Sequence, residues 1–314
     1  MKTVVYAIAR NESDKVEEWF SRVKEADKVI VLVNNSTDDT ATKLRNLGAE
    51  VVEKDYPCFR FDVARNDSLS LVPLDTDICV CVDIDELLEV GWREKVENFF
   101  DHDILSYKIV NNSWFYTAKI HTRFGWKWKH ACHEVLEWVF DTPFRKGYID
   151  VKAHHYPDNK PRNYLPLLEL DAKENPKDGR AWHYLGREYM YQGMNEKAID
   201  ALIISLNYDN WIEQRCASMR FISRCHYRLR NITQAKLWLF KACGECYLRE
   251  PYVDMAWLLA QERDWGGVKH FISIALGIDK KGIYPPESSA WGGYPKELFD
   301  TALKEIEHGH LQLR

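Results

Sequence analysis

The sequence has no long apolar run: its longest runs, such as the one from Val4 to Ala9, contain six residues. A helix that spans a bilayer needs roughly 20 apolar residues, so we expect no transmembrane segment. The N-terminus enters a strand-like stretch directly, without the apolar core or the small-residue cleavage site of a signal peptide. These absences predict a cytoplasmic protein.

An excess of positive charge is also missing, since 43 Lys and Arg residues stand against 48 Asp and Glu residues, a formal net charge of −5. A general basic field for nucleic acid is therefore excluded. Neither a glycine-rich phosphate loop of Walker or Rossmann type nor a G-x-S-x-G elbow occurs, so an NTPase or a hydrolase has no support. Cys243 and Cys246 form a C-x-x-C pair without a second pair at zinc-ribbon spacing, which favours buried apolar thiols over a zinc site.

Two regions of different periodicity make up the chain. Up to about Ala153, short β-branched runs alternate with helical stretches. Apolar strands separated by helices indicate an α/β domain with a parallel sheet that is covered on both faces, and such sheets bind ligands beyond the carboxyl ends of their strands. The predicted strands are Thr3–Ile8, Lys28–Val33, Glu50–Glu53 and Asp77–Val82.

From about Asn159 onward the pattern is helical and rich in Ala, Leu, Trp and Tyr. Trp182, Leu185, Gly186 and Tyr189 have the spacing that opens a tetratricopeptide repeat, and similar segments recur 37 residues apart, from Ala198 to Ala235. The ideal period is about 34 residues. We therefore predict stacked helix pairs whose aromatic and small residues pack between helices.

The acidic cluster Asp83, Asp85 and Glu86 follows the fourth predicted strand. Its carboxylates would repel one another unless a cation lay among them, and hard oxygen ligands suit Mg²⁺ or Mn²⁺. If the strand continues to Asp85, the period of two places Asp83 and Asp85 on the same side. The alternative is a solvated acidic turn that caps the next helix.

The stretch from Val29 to Thr40, the pair Arg65-Asn66 and the acidic cluster together resemble the nucleotide-binding half of family 2 glycosyltransferases with the GT-A fold. The resemblance covers roughly residues 2 to 155. It implies that residues 1–157 form a GT-A catalytic domain that binds a nucleotide sugar. Residues 158–314 would then form an all-α, tetratricopeptide-like repeat domain.

The same resemblance implies the roles of individual residues. The turn after the first strand and the turn from Asn34 to Asp38 would hold the base and ribose. Arg65 would approach the donor, Asp83 would lie on the nucleotide side and Asp85 would coordinate the metal. The chain departs from the family at Asn34, where an Asp is usual, which leaves uridine open as the base. The residues expected at the nucleotide are Ala7, Arg10, Asn34, Ser36, Asp38, Arg65 and Asp83.

Further along, the segment from Lys127 to Glu137 resembles one found in those family members that also carry helical repeats. We expect Glu134 to act as the general base, with a buried salt bridge as the alternative. Of the adjacent histidines, His154 is preferred over His155 as a metal ligand. Neighbouring strand residues face opposite ways, so only one of the two can be a ligand; a hydrogen-bonded core histidine is the alternative.

The run from His121 to His130 is the most basic and aromatic part of the chain, and Trp126 and Trp128 share one face of its predicted strand. Two interpretations are open: a platform that stacks an acceptor, or a hairpin whose aromatic face is buried under the repeats. The second is favoured.

Together these features predict a metal-dependent, inverting glycosyltransferase that uses Mn²⁺ or Mg²⁺ and a nucleoside-diphosphate sugar, with a UDP-sugar favoured. A peptide, protein or saccharide is favoured as acceptor, and a modified DNA base is a third option. The repeats would present the acceptor, and homo-oligomerisation through them is left open. The alternative is a non-catalytic binding module with a degenerate nucleotide-binding domain, which the missing Asp at position 34 favours.

Overall fold

The structure is a computed structural model that describes residues 1–110, 114–156 and 163–312. The chain divides into two compact units, Met1–Asn163 and Tyr164–Arg314. The boundary predicted between residues 157 and 158 lies outside the described residues. An α/β unit followed by an all-α unit confirms the predicted fold class.

The first unit is built on an eight-stranded sheet of order β3-β2-β1-β4-β7-β6-β10-β5. β1, β2, β3 and β4 run parallel, so their carboxyl ends meet at one edge. β7 is antiparallel to β4 and β6, and β8 and β9 form a separate two-stranded ribbon. The strands are β1 Thr3–Ala9, β2 Lys28–Val33, β3 Glu50–Glu53, β4 Ile78–Cys81, β5 Glu86–Leu88, β6 Ile104–Val110, β7 Trp114–Thr122, β8 Trp126–Lys129, β9 Val135–Trp138 and β10 Lys146–His155.

Four helices of the first unit cover both faces of this sheet because the strand side chains alternate. Val5 and Ala7 of β1 pack on one face with the helices α1, α2 and α4. Val4 and Tyr6 point to the other face, where α3 and the β8–β9 ribbon lie. The helices are α1 Val16–Val23, α2 Thr40–Leu47, α3 Phe61–Ser70 and α4 Trp92–Phe99.

The second unit contains antiparallel helix pairs, of which α6–α7, α8–α9 and α10–α11 are the main ones. Gly186 of α6 allows the close approach of α7, since a Cβ at this position would lie 2.5 Å from Leu202 Cγ. The predicted repeat positions Ala198 and Ala235 are fully buried, as expected for residues that pack between helices. The helices are α5 Leu165–Glu174, α6 Gly179–Tyr191, α7 Asn195–Tyr208, α8 Ile212–Arg228, α9 Ile232–Glu245, α10 Glu250–Gln261, α11 Trp265–Leu276, α12 Ser288–Trp291 and α13 Tyr294–Gln312.

Within the described ranges, no helix has both the length and the apolar composition needed to cross a membrane.

Candidate functional site

The candidate site lies at the edge of the first unit's sheet where the parallel strands end. Arg65, from α3, is at its centre and is 4% exposed. Its guanidinium lies over the Trp128 ring at 5.0 Å, donates from Nε to Glu134 Oε1, and pairs with Asp83 Oδ1 at 2.8 Å. Two carboxylates that sequence analysis placed in different roles are therefore held by one arginine.

Lys119 of β7 supplies the second cation of the site, and the sequence analysis missed it. Its Nζ lies 2.6 Å from Asp83 Oδ2 and 2.8 Å from Glu86 Oε1. Burial opposes ionisation of Asp83, but the nearby Arg65 and Lys119 outweigh it and lower the pKa of this carboxyl well below its usual range. The cation expected among the clustered carboxylates is thus provided in part by the protein itself.

Glu86 occupies the most buried position of the acidic cluster. Burial raises its pKa above the ordinary value, although Lys119 favours the charged form. Its Oε2 accepts a hydrogen bond of 2.9 Å from the hydroxyl of Tyr107. Glu86 is therefore part of the sheet interior beneath the site, while Asp83 and Asp85 are nearer the surface.

The strand ends earlier than the sequence analysis allowed. β4 stops at Cys81, and a turn closed by a 2.9 Å bond from the Glu86 N–H to the Asp83 carbonyl follows it. Asp83 and Asp85 are therefore not part of a strand that would place both side chains on the same side. Asp83 faces Arg65 and Lys119, whereas Asp85 Oδ2 lies 3.4 Å from His155 Nε2.

The histidine beside Asp85 is His155, not the preferred His154. Burial alternates along β10, with Ala153 inside and His154 exposed, so the period of two turns His155 to the side that faces the acidic cluster. The bond to Asp85 raises the pKa of His155 above its ordinary value. A carboxylate and an imidazole are thus neighbours at this point.

Glu134 is positioned by the loop between β8 and β9, which has an uncommon backbone. His130 and His133 both have positive φ, 80° and 55°, a conformation that is costly for residues other than glycine. Asn66 of α3 holds the preceding strand through two bonds to the Trp128 backbone, of 2.8 and 2.9 Å. Strain of this kind persists only where surrounding contacts enforce it. The loop ends at Glu134, whose carboxylate meets Arg65.

Ser36 and Asp38 connect the two turns expected to hold the nucleotide. Ser36 Oγ accepts from the Asn11 N–H at 3.0 Å, and Asp38 Oδ2 accepts from the Ser13 N–H at 3.1 Å. Although burial opposes it, hydrogen bonds from Thr40 and Ser13 lower the pKa of Asp38 below its ordinary value. In this structure both side chains therefore shape the turns.

Asn34 and Arg10 lie at the edge of the sheet, and Ala7 does not. The side-chain oxygen of Asn34 is buried and has no hydrogen-bond partner among the residues that the structure describes. Arg10 directly follows β1 and is exposed. Ala7 is two residues inside β1 and buried, and its carbonyl accepts from Ser68 Oγ at 3.0 Å, so it lies away from the end of the strand.

Trp126 and Trp128 are core residues of the first unit. Both are at least nine-tenths buried, and Trp128 Nε1 donates to the Tyr6 hydroxyl at 2.9 Å. The aromatic face of the hairpin is buried, as favoured, but Trp128 is covered by the sheet of its own unit. An acceptor platform built on these two rings is therefore not what the structure contains.

The fit of a divalent cation depends on the donors at hand. Within residues 1–110, 114–156 and 163–312, no group of three or more His, Cys, Asp or Glu side chains is arranged to hold a metal. Asp85 and His155 are nonetheless a carboxylate oxygen and an imidazole nitrogen side by side. Mg²⁺ is commonly held by one or two carboxylates together with substrate phosphates and water. Asp85 fits that mode, and His155 would add a nitrogen ligand beside it.

No protein-family model and no curated protein matches the chain. A structure of S. aureus TarS 1-349 in complex with UDP-GlcNAc is similar over 79% of this chain and 93% of that chain, with 13% identity and a TM-score of 0.41.

Two further structures are similar to parts of the chain. Glucosyl-3-phosphoglycerate synthase from Mycobacterium tuberculosis, in complex with Mn²⁺, UDP and glucosyl-3-phosphoglycerate, matches over 35% of this chain and 44% of that chain, with 23% identity and a TM-score of 0.29. Pseudomonas aeruginosa pilF matches over 47% and 65%, with 15% identity and a TM-score of 0.35. The similar structures include glycosyltransferases and tetratricopeptide-repeat proteins, all at low sequence identity.

Proposed function

We propose that the first unit is a glycosyltransferase that binds a nucleoside-diphosphate sugar at the carboxyl edge of its sheet. The observation that carries the proposal is the cluster of carboxylates at this edge: Asp83 and Glu134 both pair with Arg65, Asp83 also pairs with Lys119, and Asp85 lies beside His155. A UDP-sugar remains the favoured donor. The unpartnered oxygen of Asn34 supports a neighbouring hydroxyl donor, which a ribose would supply.

Asp85 and His155 are the residues that would hold Mn²⁺ or Mg²⁺. When bound, the ion would supply positive charge to the diphosphate as it leaves. The sequence-based preference for His154 is replaced in this proposal by His155, because only His155 is next to Asp85.

Glu134 is proposed as the general base. Its Oε1 is fixed by Arg65, and Oε2 takes no hydrogen bond from the described residues, so Oε2 is the atom that would accept a proton. The acceptor oxygen loses that proton to Glu134 and bonds to the anomeric carbon, while the bond from this carbon to the diphosphate oxygen breaks. A single displacement of this kind inverts the configuration at that carbon.

Arg65 is a positioning residue in this scheme, because it is buried and touches Glu134 and Asp83 instead of facing outward. It fixes the orientation of the base and of the neighbouring carboxylate. A shift of the proposed base by about 1 Å is enough to cost roughly 100-fold in rate.

The test compares Glu134→Gln with Glu137→Gln, a control on the same ribbon whose carboxylate is exposed and 3.4 Å from Lys129. Hydrolysis of a set of nucleotide sugars, measured with Mn²⁺ present, reports the donor without knowledge of the acceptor. We expect wild type and Glu137→Gln to hydrolyse the same donor at similar rates. The hydrolysis rate of Glu134→Gln should be at least about 100-fold lower, as expected for loss of a general base. Equal rates in all three proteins would remove Glu134 from the reaction.

A second candidate function is a non-catalytic binding module. This function is favoured because Asp83 and Glu134 both pair with Arg65. An ion-pair network that only stabilises the fold has the same arrangement. In that case the nucleotide sugars would not be hydrolysed by any of the three proteins, and the addition of nucleoside diphosphates would leave thermal stability unchanged.

A further inference from the structure

The segment of residues 278–287, here called the strap, joins α11 to α12 in the second unit and forms neither helix nor strand. Its course is defined by contacts with three helices, each the first member of a helix pair. The strap meets α10 first, then α8 and α6. Its sequence ends in Tyr284-Pro285-Pro286-Glu287, and the two prolines favour an extended backbone.

The first attachment is to the start of α10. The guanidinium of Arg249 donates to the Ile278 carbonyl from two nitrogens, at 3.0 and 2.6 Å. Just beyond the strap, Trp291 lies under the same guanidinium at 4.1 Å and donates from Nε1 to Glu250 Oε1 at 2.7 Å. These contacts hold the start of the strap and the residue Trp291, just beyond its end, against one helix.

The second attachment is to α8. Glu213 is buried, and its Oε2 accepts the Tyr284 N–H at 2.6 Å. Gly282 passes so close that a Cβ there would lie 2.8 Å from the same oxygen and 2.8 Å from Leu248. Glu287 pairs with Arg220 at 3.0 Å and with Arg224 at 2.7 Å. The helix thus offers a carboxylate to the strap backbone and two arginines to its acidic end.

The third attachment places the Tyr284 side chain against α6. Its hydroxyl is 3.0 Å from His183 Nε2, and its ring packs edge-on against His183 at 5.7 Å and tilted against Trp211 at 5.8 Å. Burial raises the pKa of Tyr284 to about 12. The hydroxyl therefore stays protonated at neutral pH.

Most of these contacts are polar. Of the strap residues, only Tyr284 joins the apolar clusters between the helix pairs, whereas Asp279, Lys280 and Ile283 are exposed. The buried residues of these apolar clusters all belong to helices, and the strap adds the partly buried Tyr284 to one of them. A separate peptide that reproduces the same hydrogen bonds and ion pairs could therefore compete for its place.

We propose that the surface of α6, α8 and α10 under the strap is a binding site for an extended peptide that carries a tyrosine three residues before a glutamate, and that the strap occupies this site within the same chain. The partner recognised there has a tyrosine for the His183–Trp211 pocket and a carboxylate for Arg220 and Arg224. This binding function belongs to the second unit and goes beyond the proposed glycosyltransferase activity.

The test displaces the strap without changing the surface beneath it. In Gly282→Val the added side chain collides with Glu213 and Leu248, while Ile283→Ala alters an exposed strap residue and serves as the matched control. The probe is a fluorescent synthetic peptide with the sequence of residues 278–291, and binding to the full chain is measured by anisotropy. We expect the peptide to bind Gly282→Val about tenfold or more tightly than wild type or Ile283→Ala, because the competing segment has been released.

Two controls complete the design. A probe in which the residues corresponding to Tyr284 and Glu287 are alanine should not bind, and trypsin should cut after Lys280 and Lys281 faster in Gly282→Val than in the control. Peptide affinity that is equal in all three proteins, or absent from a Gly282→Val protein of native helicity, overturns the proposal. So does a Gly282→Val dimer in which two chains exchange their straps. If Gly282→Val does not fold, the double variant Tyr284→Ala/Glu287→Ala releases the strap instead, with the same outcomes.

Discussion

Replacement of Lys119 by methionine tests the electrostatic structure of the candidate site. Lys119 is largely buried and lies within 2.8 Å of two carboxylates. Loss of one partner from a buried ion pair costs about 3–5 kcal/mol, because the remaining charge has no partner. Arg65 still pairs with Asp83, and the Tyr107 hydroxyl still donates to Glu86, so we expect the lower end of this range, about 3 kcal/mol.

Native-state hydrogen exchange, read by mass spectrometry on peptides that cover β4 and β7, gives the local free energy of opening directly. Lys127→Met is the control, since Lys127 is exposed on β8 and its loss should change stability by no more than about 0.5 kcal/mol. The double variant Lys119→Met/Glu86→Gln removes the unpaired charge and should recover about half of the loss or more. A loss below about 1 kcal/mol in Lys119→Met, or no recovery in the double variant, would refute the reasoning.

Two further predictions concern other parts of the chain. The ring of His121 accepts from the Tyr6 hydroxyl and is held neutral by burial, which lowers its pKa to about 4. Keeping His121 neutral should contribute about 3 kcal/mol to the free energy of unfolding above pH 6.5, and this contribution should be lost as the pH falls toward 4. An NMR titration of the His121 ring with a midpoint near 6.5 would contradict this. Gly186→Ala should destabilise the second unit by about 1–3 kcal/mol through its clash with Leu202. Gly244→Ala, where a Cβ meets no atom within 4 Å, should instead be neutral or stabilising by up to about 1 kcal/mol in the same thermal-unfolding assay.

The fold was predictable because it follows from local patterns. The residue type alone predicts the local environment in both units. A β-branched run such as Lys28–Val33 predicts a strand in the sheet interior, and the small residues Ala198 and Ala235 predict close contacts between helices. A parallel sheet then places the ends of its strands together at one edge. The positions of Asn34 and the acidic cluster at that edge follow from the same rule.

The partners of the site residues were not predictable in the same way. Lys119 comes from an antiparallel strand 36 residues after Asp83, and no local pattern states that the two side chains meet. Choosing between His154 and His155 needed the register of β10 against β5, which a one-residue shift would reverse. Arg65 was expected to approach the donor, and its burial beside Trp128, from which we propose a positioning role, could not be read from the sequence.

The most direct test of the account is a calorimetric titration of UDP into the 314-residue chain, with and without Mn²⁺. His155→Ala and His154→Ala provide adjacent variants, of which only the first removes a neighbour of Asp85. The account predicts UDP binding that requires Mn²⁺, persists in His154→Ala and is lost in His155→Ala and Asp85→Asn. Binding that is indifferent to the metal and to all three substitutions would contradict it, as would the absence of binding by any nucleoside diphosphate.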